Sequence, residues 1–399
     1  MNRPIYMDYQ ATTPVDERVL EVMLPFFRES FGNAASNSHS YGWEAAAAVK
    51  QAREQCARIL GAEPIDILFT SGSTEGINLA LKGTAELHAG GGGREIITCV
   101  TEHPAVLDTV RYLEGRGVKI VRLEVDSAGM IDLARLERAI TKQTILVALM
   151  AANNEIGSVH PSGEIGRICR EHGVLFFCDA TQGVGKLPLD VKRDHIDMLS
   201  FTGHKMYGPK GVGALYVRKA HPNVRLACQF HGGGQERGMR PGTLNVAGIV
   251  GLGKACELAQ AELKDEIQRL TALRERLRRG IMDSLDHARL NGHATERLPG
   301  NLNLGFAYVD GEALMMDMKE VAVSSGSACN STSRQASHVL KAIQTPEEQT
   351  HASIRFGLGR MTTEAEVDRV IALTVRGVRR LREMSPLYEL ARREESSSD

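Results

Sequence analysis

Short apolar runs alternate with amphipathic stretches over the first 217 residues of the chain. Seven runs of four to eight residues are rich in β-branched or large apolar side chains, as strands buried on both faces are. Most are separated by helix-like stretches, for example 76–87 and 163–171. The alternation predicts an α/β fold, with a mostly parallel seven-stranded sheet covered by helices on both faces. The predicted strands are 65–70, 95–100, 118–125, 145–150, 174–178, 196–201 and 212–217.

The pattern changes in the second half of the chain. Residues 254–284 combine Glu, Lys, Arg and Leu at amphipathic spacing, with no glycine between Lys254 and Arg279, and predict a long helix linking two domains. A smaller α/β domain is predicted by strand candidates at 301–308, 321–324 and 352–357 and a helical stretch at 363–384. We therefore predict a large domain of 13–260, a small domain of 1–12 with 261–390, and a loose polar tail of 391–399.

Charge and composition narrow the classes of function. The 399 residues include 48 basic and 49 acidic side chains, so the formal net charge is -1. This balance gives no general electrostatic reason to bind nucleic acid or an anionic membrane surface. No stretch approaches 18 uninterrupted apolar residues, and no apolar run of signal-peptide length opens the chain. We predict a cytoplasmic protein whose partners bind at specific sites.

The cysteines point to reduced thiols. The chain has seven, an odd number, scattered and without a C-x-x-C pair, which argues against a disulfide framework or a self-contained zinc site. Five lie in helix-like or strand-like segments, where cysteine behaves as a small hydrophobe. Cys329 differs because its neighbours are serine, glycine, alanine, asparagine and threonine. It is the candidate for a reactive thiol.

A phosphate site is predicted after the first strand. Small and hydroxylated residues at 71–76 precede a helical stretch there. Free backbone N–H groups at the start of that helix, with the Ser73 and Thr74 hydroxyls, would hold a phosphate. The alternative from these residues alone is a capped helix after a tight turn.

Two residues at strand ends suggest a carbonyl cofactor. Lys205 follows the sixth predicted strand, and Asp179 directly follows the apolar residues 175–178 of the fifth. A lysine at this edge of an α/β sheet can form a Schiff base, although an arbitrary lysine is more often a surface residue. A buried carboxylate needs a partner, and a protonated pyridine nitrogen is one. Together the two residues match the requirements of pyridoxal phosphate, whose ring acts as an electron sink.

Further polar residues stand at neighbouring strand ends. His103 follows the second strand and could stack on a cofactor ring and move protons, although a lone histidine is more often structural. Asn154 and Gln182 could hydrogen-bond the ring oxygen of the cofactor or the substrate. Thr202 and His204, beside Lys205, are placed to reach the phosphate.

These residues make the chain similar to a known family. From residue 6 to about 387 it resembles the cysteine desulfurases among the class-V, fold type I pyridoxal-phosphate enzymes, in the branch of the iron-sulfur assembly and nitrogen-fixation desulfurases. The segments that carry the resemblance are TSGSTE at 70–75, TEHP at 101–104, NNEIG at 153–157, GHK at 203–205, SGSAC at 325–329 and IRF at 354–356.

The resemblance implies roles for individual residues. Lys205 would carry pyridoxal phosphate, and Arg355 would bind the substrate carboxylate. Thr243 would reach the phosphate from the partner subunit, which implies a homodimer. The remaining implied contacts are Asp179 to the pyridine nitrogen, Gln182 to the ring oxygen, His103 on the ring, and Ser73, Thr74, Thr202 and His204 to the phosphate.

The implied activity is conversion of L-cysteine to L-alanine. The sulfur would be carried as a persulfide on Cys329 and passed to an acceptor or scaffold protein for iron-sulfur cluster assembly or thiolation. Alternatives are another class-V lyase such as a selenocysteine lyase, a desulfurase dedicated to DNA or tRNA thiolation, and a non-catalytic scaffold protein. No metal site is predicted, although Cys329 could also be a transient iron-sulfur ligand.

Overall fold

The computed structural model describes residues 3–88, 94–220, 223–325 and 337–396. Cys329 therefore lies outside the described residues. The strands within these ranges are β1 Ile5–Tyr6, β2 Ile67–Thr70, β3 Glu95–Cys99, β4 Lys119–Leu123, β5 Thr144–Met150, β6 Leu175–Asp179, β7 Met198–Thr202, β8 Gly213–Val217, β9 Ala288–Leu290, β10 Asn301–Phe306, β11 Val321–Ala322, β12 Ser324–Ser325 and β13 Ser353–Gly357.

Helices connect most of these strands. They are α1 Glu17–Met23, α2 Pro25–Arg28, α3 Ser40–Leu60, α4 Ser73–Leu87, α5 Pro104–Glu114, α6 Leu133–Ala139, α7 Ser162–Glu171, α8 Val246–Met282, α9 Gly311–Asp317, α10 His338–Ala342, α11 Glu347–His351, α12 Glu364–Glu383 and α13 Pro386–Ser396. Short 3-10 turns lie at Pro64–Asp66, Gly203–Lys205 and Glu236–Gly238.

A seven-stranded sheet forms the centre of the molecule. Its strand order is β2-β8-β7-β6-β5-β3-β4. Only β8 is antiparallel to its neighbours β2 and β7, and the other pairs in this sheet are parallel. Each predicted run overlaps one observed strand, so the predicted fold class is confirmed.

Both faces of this sheet are covered by apolar side chains. Alternate residues of β5 belong to different hydrophobic clusters, with Val147 on one face and Leu146 on the other. The first cluster includes residues of α3 and α8, and the second includes residues of α4 and α5. Burial on both faces explains why the strands appear in the sequence as continuous apolar runs.

A second, antiparallel sheet lies beyond α8, with the strand order β12-β13-β10-β9. The sequence analysis missed β9. The strand predicted at 321–324 is divided between β11, which pairs with β1, and β12, which pairs with β13. α8 contributes Cys256 to the core of the large sheet and Leu277 to the core of the small one. The predicted domain boundary at 260 falls inside this helix and stays a prediction.

α8 begins earlier than predicted, at Val246 rather than 254. The early turns contain glycines, which lower helix propensity and conceal the start of the helix. They are needed for packing, because a Cβ on Gly251 would lie 2.5 Å from the Met23 Sδ. A Cβ on Gly253 would lie 2.6 Å from the Ala52 Cα in α3. Tertiary contacts with α1 and α3 therefore outweigh local propensity.

The C-terminal tail corrects one expectation. α13 continues to Ser396, so the prediction of a loose tail is wrong for residues 391–396. Its first turn carries Tyr388, whose hydroxyl donates to Asp286 Oδ2 at 2.8 Å. Glu389 and Arg393 form a pair one turn apart at 3.9 Å, which favours the helix.

Candidate active site

A cavity of about 650 Å³ opens where the carboxyl ends of β5, β6 and β7 meet the start of α4. The N-terminal segment 8–12 and residues of the small sheet complete its wall. The structure brings together here ten of the residues singled out in the sequence: Ser73, Thr74, His103, Asn154, Asp179, Gln182, Thr202, His204, Lys205 and Arg355.

One end of the cavity is built for an anion. Gly72 precedes α4 with a φ of 151°, and no side chain caps the helix, so its first N–H groups face the cavity end. The Ser73 hydroxyl is buried and has no hydrogen-bond partner among the described residues. A Cβ on Gly213 would lie 2.8 Å from the Gly72 Cα, so β8 also needs glycine for this turn. An unpaired buried hydroxyl at an uncapped helix start fits a phosphate.

Two polar side chains from the end of β7 flank this anion site. Thr202 Oγ1 donates to Val212 O at 3.1 Å. His204 Nδ1 lies 3.2 Å from Thr12 Oγ1. Burial, followed by the charges of Lys205 and Lys210, lowers the pKa of His204 to about 4. A bound phosphate would oppose this shift, because its negative charge favours the imidazolium.

Asp179 lies at the base of the cavity, as the last residue of β6. It is 4% exposed. Its Oδ1 accepts hydrogen bonds from the Thr181 N–H at 3.0 Å and from Thr181 Oγ1 at 2.5 Å. Because both bonds use Oδ1, Oδ2 is left to accept from a ligand. A protonated ring nitrogen would suit that position.

Glu102 is a second buried acid, which the sequence analysis did not single out. It is fully buried, and its Oε1 accepts from the Met150 N–H at 2.8 Å. Burial and the neighbouring Asp179 raise the pKa of Glu102 well above its usual range. The raised pKa favours the protonated form of the Glu102 carboxyl. The sequence could have indicated Glu102 as a site residue, because it follows β3 much as Asp179 ends β6.

Lys205 is held by the N-terminal segment. It ends the 3-10 turn that follows β7, and its Nζ donates to Gln10 O at 2.6 Å and to Ala11 O at 2.7 Å. Sequence reasoning did not identify these two acceptors, because backbone carbonyls leave no residue-type signal. They hold the amine at the cavity wall.

His103 lies at the start of α5 and also lines the cavity. Its Nδ1 accepts from the Ala105 N–H at 3.1 Å, so the ring caps the helix. Burial lowers the pKa of His103, although the charge of Asp179 opposes the shift. The ring is therefore neutral near pH 7, with its proton on Nε2.

Arg355 enters the cavity from β13 of the small sheet. Its Nη2 donates to Asp8 Oδ1 at 2.8 Å and to Ser324 Oγ at 3.1 Å, and its Nη1 donates to Asn154 O at 3.1 Å. Its Nε is buried and has no partner among the described residues. The guanidinium is thus fixed in place with a donor still unused. Asp8, the ion-pair partner, was missed in the sequence.

Gln182 is engaged at both ends of its amide. Its Nε2 donates to Gln10 O at 2.9 Å, and its Oε1 accepts from Lys186 Nζ at 2.7 Å. The second hydrogen on Nε2 remains for a ligand.

Two predicted residues are not placed at this site. Thr243 is exposed and does not line the cavity of its own chain. Cys329 lies outside the described residues. Five other cysteines, Cys56, Cys99, Cys169, Cys178 and Cys256, are buried thiols, as predicted, and Cys228 is half-buried.

Neither a metal-ion cluster nor a membrane-spanning helix is found in the part of the chain that the structure describes. There, no group of three or more His, Cys, Asp or Glu side chains is arranged to hold a metal ion. None of the helices in the same ranges is both long and apolar enough to cross a membrane.

Comparison with known proteins agrees with the fold. The family model described as aminotransferase class-V matches residues 5–370. A cysteine desulfurase IscS of Anaeromyxobacter sp. (strain Fw109-5) is 58% identical over 392 residues, which are 98% of this chain and 96% of that protein.

Solved structures give the same result. A NifS-like protein superimposes with a TM-score of 0.87 at 38% identity, covering 94% of this chain and 98% of its own. A structure described as SspA in complex with cysteine has a TM-score of 0.79 at 38% identity, covering 89% and 98%.

The fold is that of the class-V aminotransferase enzymes, and the chain belongs to that family. Within it, the chain belongs to the cysteine desulfurases.

Proposed function

We propose that this protein is a pyridoxal-phosphate-dependent cysteine desulfurase that converts L-cysteine to L-alanine and carries the sulfur as a persulfide on Cys329. The observation that carries the proposal is the single cavity shared by the Lys205 amine and the buried Asp179 carboxylate. The identity of 58% to a cysteine desulfurase over nearly the whole chain supports it.

The residues of the cavity fit the cofactor. Ser73, Thr74 and the start of α4 would hold its phosphate, with Thr202 and His204 beside them. Asp179 would pair with the ring nitrogen, and Lys205 would bind the aldehyde carbon. When bound, pyridoxal phosphate supplies an electron sink for bonds to the α-carbon of an amino acid.

Arg355 would bind the carboxylate of the substrate. The guanidinium is already oriented by Asp8, Ser324 and the Asn154 carbonyl, and its buried Nε is unused. A planar guanidinium fixed in this way holds a carboxylate in one orientation. The thiol of L-cysteine is then confined to the remaining space of the cavity.

Lys205 would move the α-proton of the substrate once its amine is free. The Gln10 and Ala11 carbonyls accept from the amine, which keeps it at the cavity wall between proton transfers. His103, neutral with its proton on Nε2, is a second group that can donate a proton inside the cavity.

Sulfur transfer is assigned to Cys329. In this step the Cys329 thiolate attacks the substrate sulfur, a sulfur–sulfur bond forms and the carbon–sulfur bond breaks. The electron pair of the broken bond stays with the carbon skeleton, which takes up protons and leaves as alanine. Ser324 lines the cavity, and the five residues from there to Cys329 can span at most about 17 Å.

We infer a homodimer with shared active sites. Large apolar side chains of α1, α2 and α3 and the loop between them are exposed, which is typical of an interface. They include Leu20, Leu24, Phe27, Phe31 and Trp43. Thr243 does not line the cavity of its own chain, as expected of a residue that completes the partner's phosphate site.

The acceptor of the sulfur would be a protein of an iron-sulfur assembly or thiolation system. The described cysteines are free thiols, and even Cys56 and Cys256, with sulfurs 3.7 Å apart, are not bonded. Reduced thiols support a cytoplasmic location. A selenocysteine lyase and a desulfurase dedicated to DNA or tRNA thiolation are the alternatives within the family.

The function is tested by measuring alanine and sulfide formed from L-cysteine with a reductant, while the visible spectrum is recorded. Wild type should form equal amounts of both products. Lys205→Ala should lose the products and the cofactor colour, whereas Cys329→Ala should lose the products and keep the colour. Cys228→Ala, a half-buried cysteine away from the cavity, is the matched control and should retain activity.

Other outcomes would identify the alternatives. Alanine formation that persists in Cys329→Ala would indicate another class-V lyase, and faster turnover of L-selenocysteine than of L-cysteine in that variant would indicate a selenocysteine lyase. A colourless, inactive wild type would indicate a non-catalytic scaffold protein.

The shared site is tested by mixing two inactive variants. Lys205→Ala damages the site of its own chain, and Thr243→Asp should damage the partner's site by placing a negative charge near the phosphate. After statistical subunit exchange, about a quarter of wild-type activity should return, because half the dimers contain one intact site. No recovery in dimers shown to have exchanged would contradict the assignment of Thr243.

A further inference from the structure

Lys186 is a titratable side chain beside the cavity that the proposed reaction does not use. Its Nζ donates to Gln182 Oε1 at 2.7 Å. The residue as a whole is partly exposed, and burial of its amine lowers the pKa of Lys186 from 10.5 to about 7. The charges of Lys205 and Arg355 also lower this pKa, and Glu266 opposes the shift.

Behind Lys186 the structure offers mainly apolar surroundings. A small cavity of about 20 Å³ lies on that side, lined by Leu263, Ile267, Leu270 and Leu298 together with Tyr207 and Glu266. Burial in such surroundings makes the lysine lose its proton more easily, and groups with perturbed pKa values are more often found at functional sites than elsewhere.

The hydrogen bonds of Lys186 and Gln10 orient the amide of Gln182. The amide oxygen of Gln182 accepts from Lys186 Nζ at 2.7 Å. The Gln10 carbonyl only accepts, so the amide nitrogen must point towards Gln10. One hydrogen of that nitrogen is used there, and the other is directed to the cavity that Gln182 lines.

The same carbonyl also restrains Lys205. Gln10 O accepts both from Gln182 Nε2 at 2.9 Å and from Lys205 Nζ at 2.6 Å. Lys186, Gln182, Gln10 and Lys205 thus form one chain of hydrogen bonds. When Lys205 leaves this chain to bind the cofactor, Lys186 and Gln10 still hold the amide.

We propose that Lys186 is a positioning residue that locks Gln182 as a hydrogen-bond donor to the ring oxygen of the cofactor. The inference deepens the proposed function and rests on it. A donor at this oxygen stabilises its negative charge, so the cofactor linked to Lys205 loses its proton more easily. Lys186 acts at a distance, through Gln182, and touches neither cofactor nor substrate.

The experiment is a pH titration of the visible absorption of the cofactor-loaded protein. Lys186→Met should raise the pH of the spectral transition by about one unit or more, because the donor to the ring oxygen is no longer held. Lys186→Arg keeps a donor and a charge and should restore much of the wild-type value. Lys192→Met, at an exposed lysine on the same loop, is the control and should not shift the transition.

A double-mutant cycle separates positioning from charge. If Lys186 acts through Gln182, adding Lys186→Met to Gln182→Ala should produce almost no further shift. An equal shift in both backgrounds would overturn the proposal, since the effect would then come from the charge of Lys186 alone. An unchanged transition in Lys186→Met would also overturn it.

If the proposed function is wrong, wild type itself will show no visible absorption band, and this outcome differs from an unchanged transition in Lys186→Met. Because Lys186→Met leaves the Gln182 amide oxygen without its donor, urea denaturation of each variant checks that it is folded. Lys186→Gln provides a second uncharged variant and should shift the transition less than Lys186→Met if its amide donates to Gln182.

Discussion

The two sheets contribute to the cavity in different ways. In the large sheet the site residues follow strand ends, with Asp179 closing β6 and Lys205 in the turn after β7. In the small sheet Arg355 lies within β13, paired in register with Ser324 of β12. The large sheet is mostly parallel and the small one is antiparallel.

This difference has a physical origin. Parallel strands bring all their carboxyl ends to one edge, so loops after several strands meet there and can surround a cofactor. Antiparallel strands alternate in direction, so the small sheet presents a side chain from its face instead. We infer that the large sheet holds the cofactor and the small sheet selects the substrate.

The largest effect should come from the large sheet. Lys205→Ala removes the amine held by Gln10 and Ala11, and we expect cofactor colour to disappear and alanine formation to fall by about 10²- to 10⁴-fold. The measurement is the visible spectrum together with steady-state kinetics. Lys192→Ala, an exposed lysine, should leave both unchanged. Retained colour in Lys205→Ala would place the cofactor elsewhere.

Acid should destabilise the large-sheet region through His160. This residue is 2% exposed, both ring nitrogens lack partners within the described ranges, and burial lowers the pKa of His160 to about 4. Since the unfolded state binds its proton near pH 6.5, stability should be full above that pH and fall towards pH 4, by roughly 3 kcal/mol in total.

Urea denaturation from pH 7 to pH 4 provides the test. His160→Phe should lose less stability than wild type over this range, because phenylalanine does not titrate. His172→Phe is the control, since that imidazole is 38% exposed. Parallel curves for wild type and His160→Phe would show that the acid sensitivity arises elsewhere.

Arg355→Lys should separate the role of the small sheet in substrate binding from the role of the large sheet in cofactor binding. Lysine carries the charge but cannot donate in a fork, so we expect KM for L-cysteine to rise roughly 10- to 100-fold. Cofactor affinity should change little, because Arg355 contacts Asp8, Ser324 and Asn154 rather than the phosphate end. Arg369→Lys, at an exposed ion pair, is the control. A loss of cofactor affinity as large as the rise in KM would contradict the proposed division of roles between the two sheets.

Ser73→Ala should have the smallest effect. Removing the buried, unpaired hydroxyl should weaken pyridoxal-phosphate affinity by about 10-fold, because one hydrogen bond to a charged group is lost. The stability of the cofactor-free protein should stay within about 0.5 kcal/mol, since no bond among the described residues is broken. Fluorescence titration of cofactor-free protein measures the affinity, with the exposed Ser284→Ala as control. Unchanged affinity would remove Ser73 from the phosphate site.

Much of the fold and the site could be predicted because their signals are local. Apolar runs marked the strands of the large sheet, and polar residues after those runs marked Asp179 and Lys205. Glu102 shows the limit of this reasoning, because the upward shift of its pKa comes from complete burial and from the neighbouring Asp179, which only packing brings together. The start of α8 was missed since glycine packing against α1 and α3 overrides helix propensity.

The sequence by itself determined the α/β class, the strands of the large sheet and most residues of the cavity. The hydrophobic period and the ends of the strands depend on residues that are close together in the sequence. Only the tertiary structure decided which partners these residues have. Arg355 and Asp8 are 347 positions apart, and Gln182 and Gln10 are 172 apart. Such contacts arise when the chain is packed, and a carbonyl acceptor such as Gln10 O exists at every position, so no pattern of residue types predicts them.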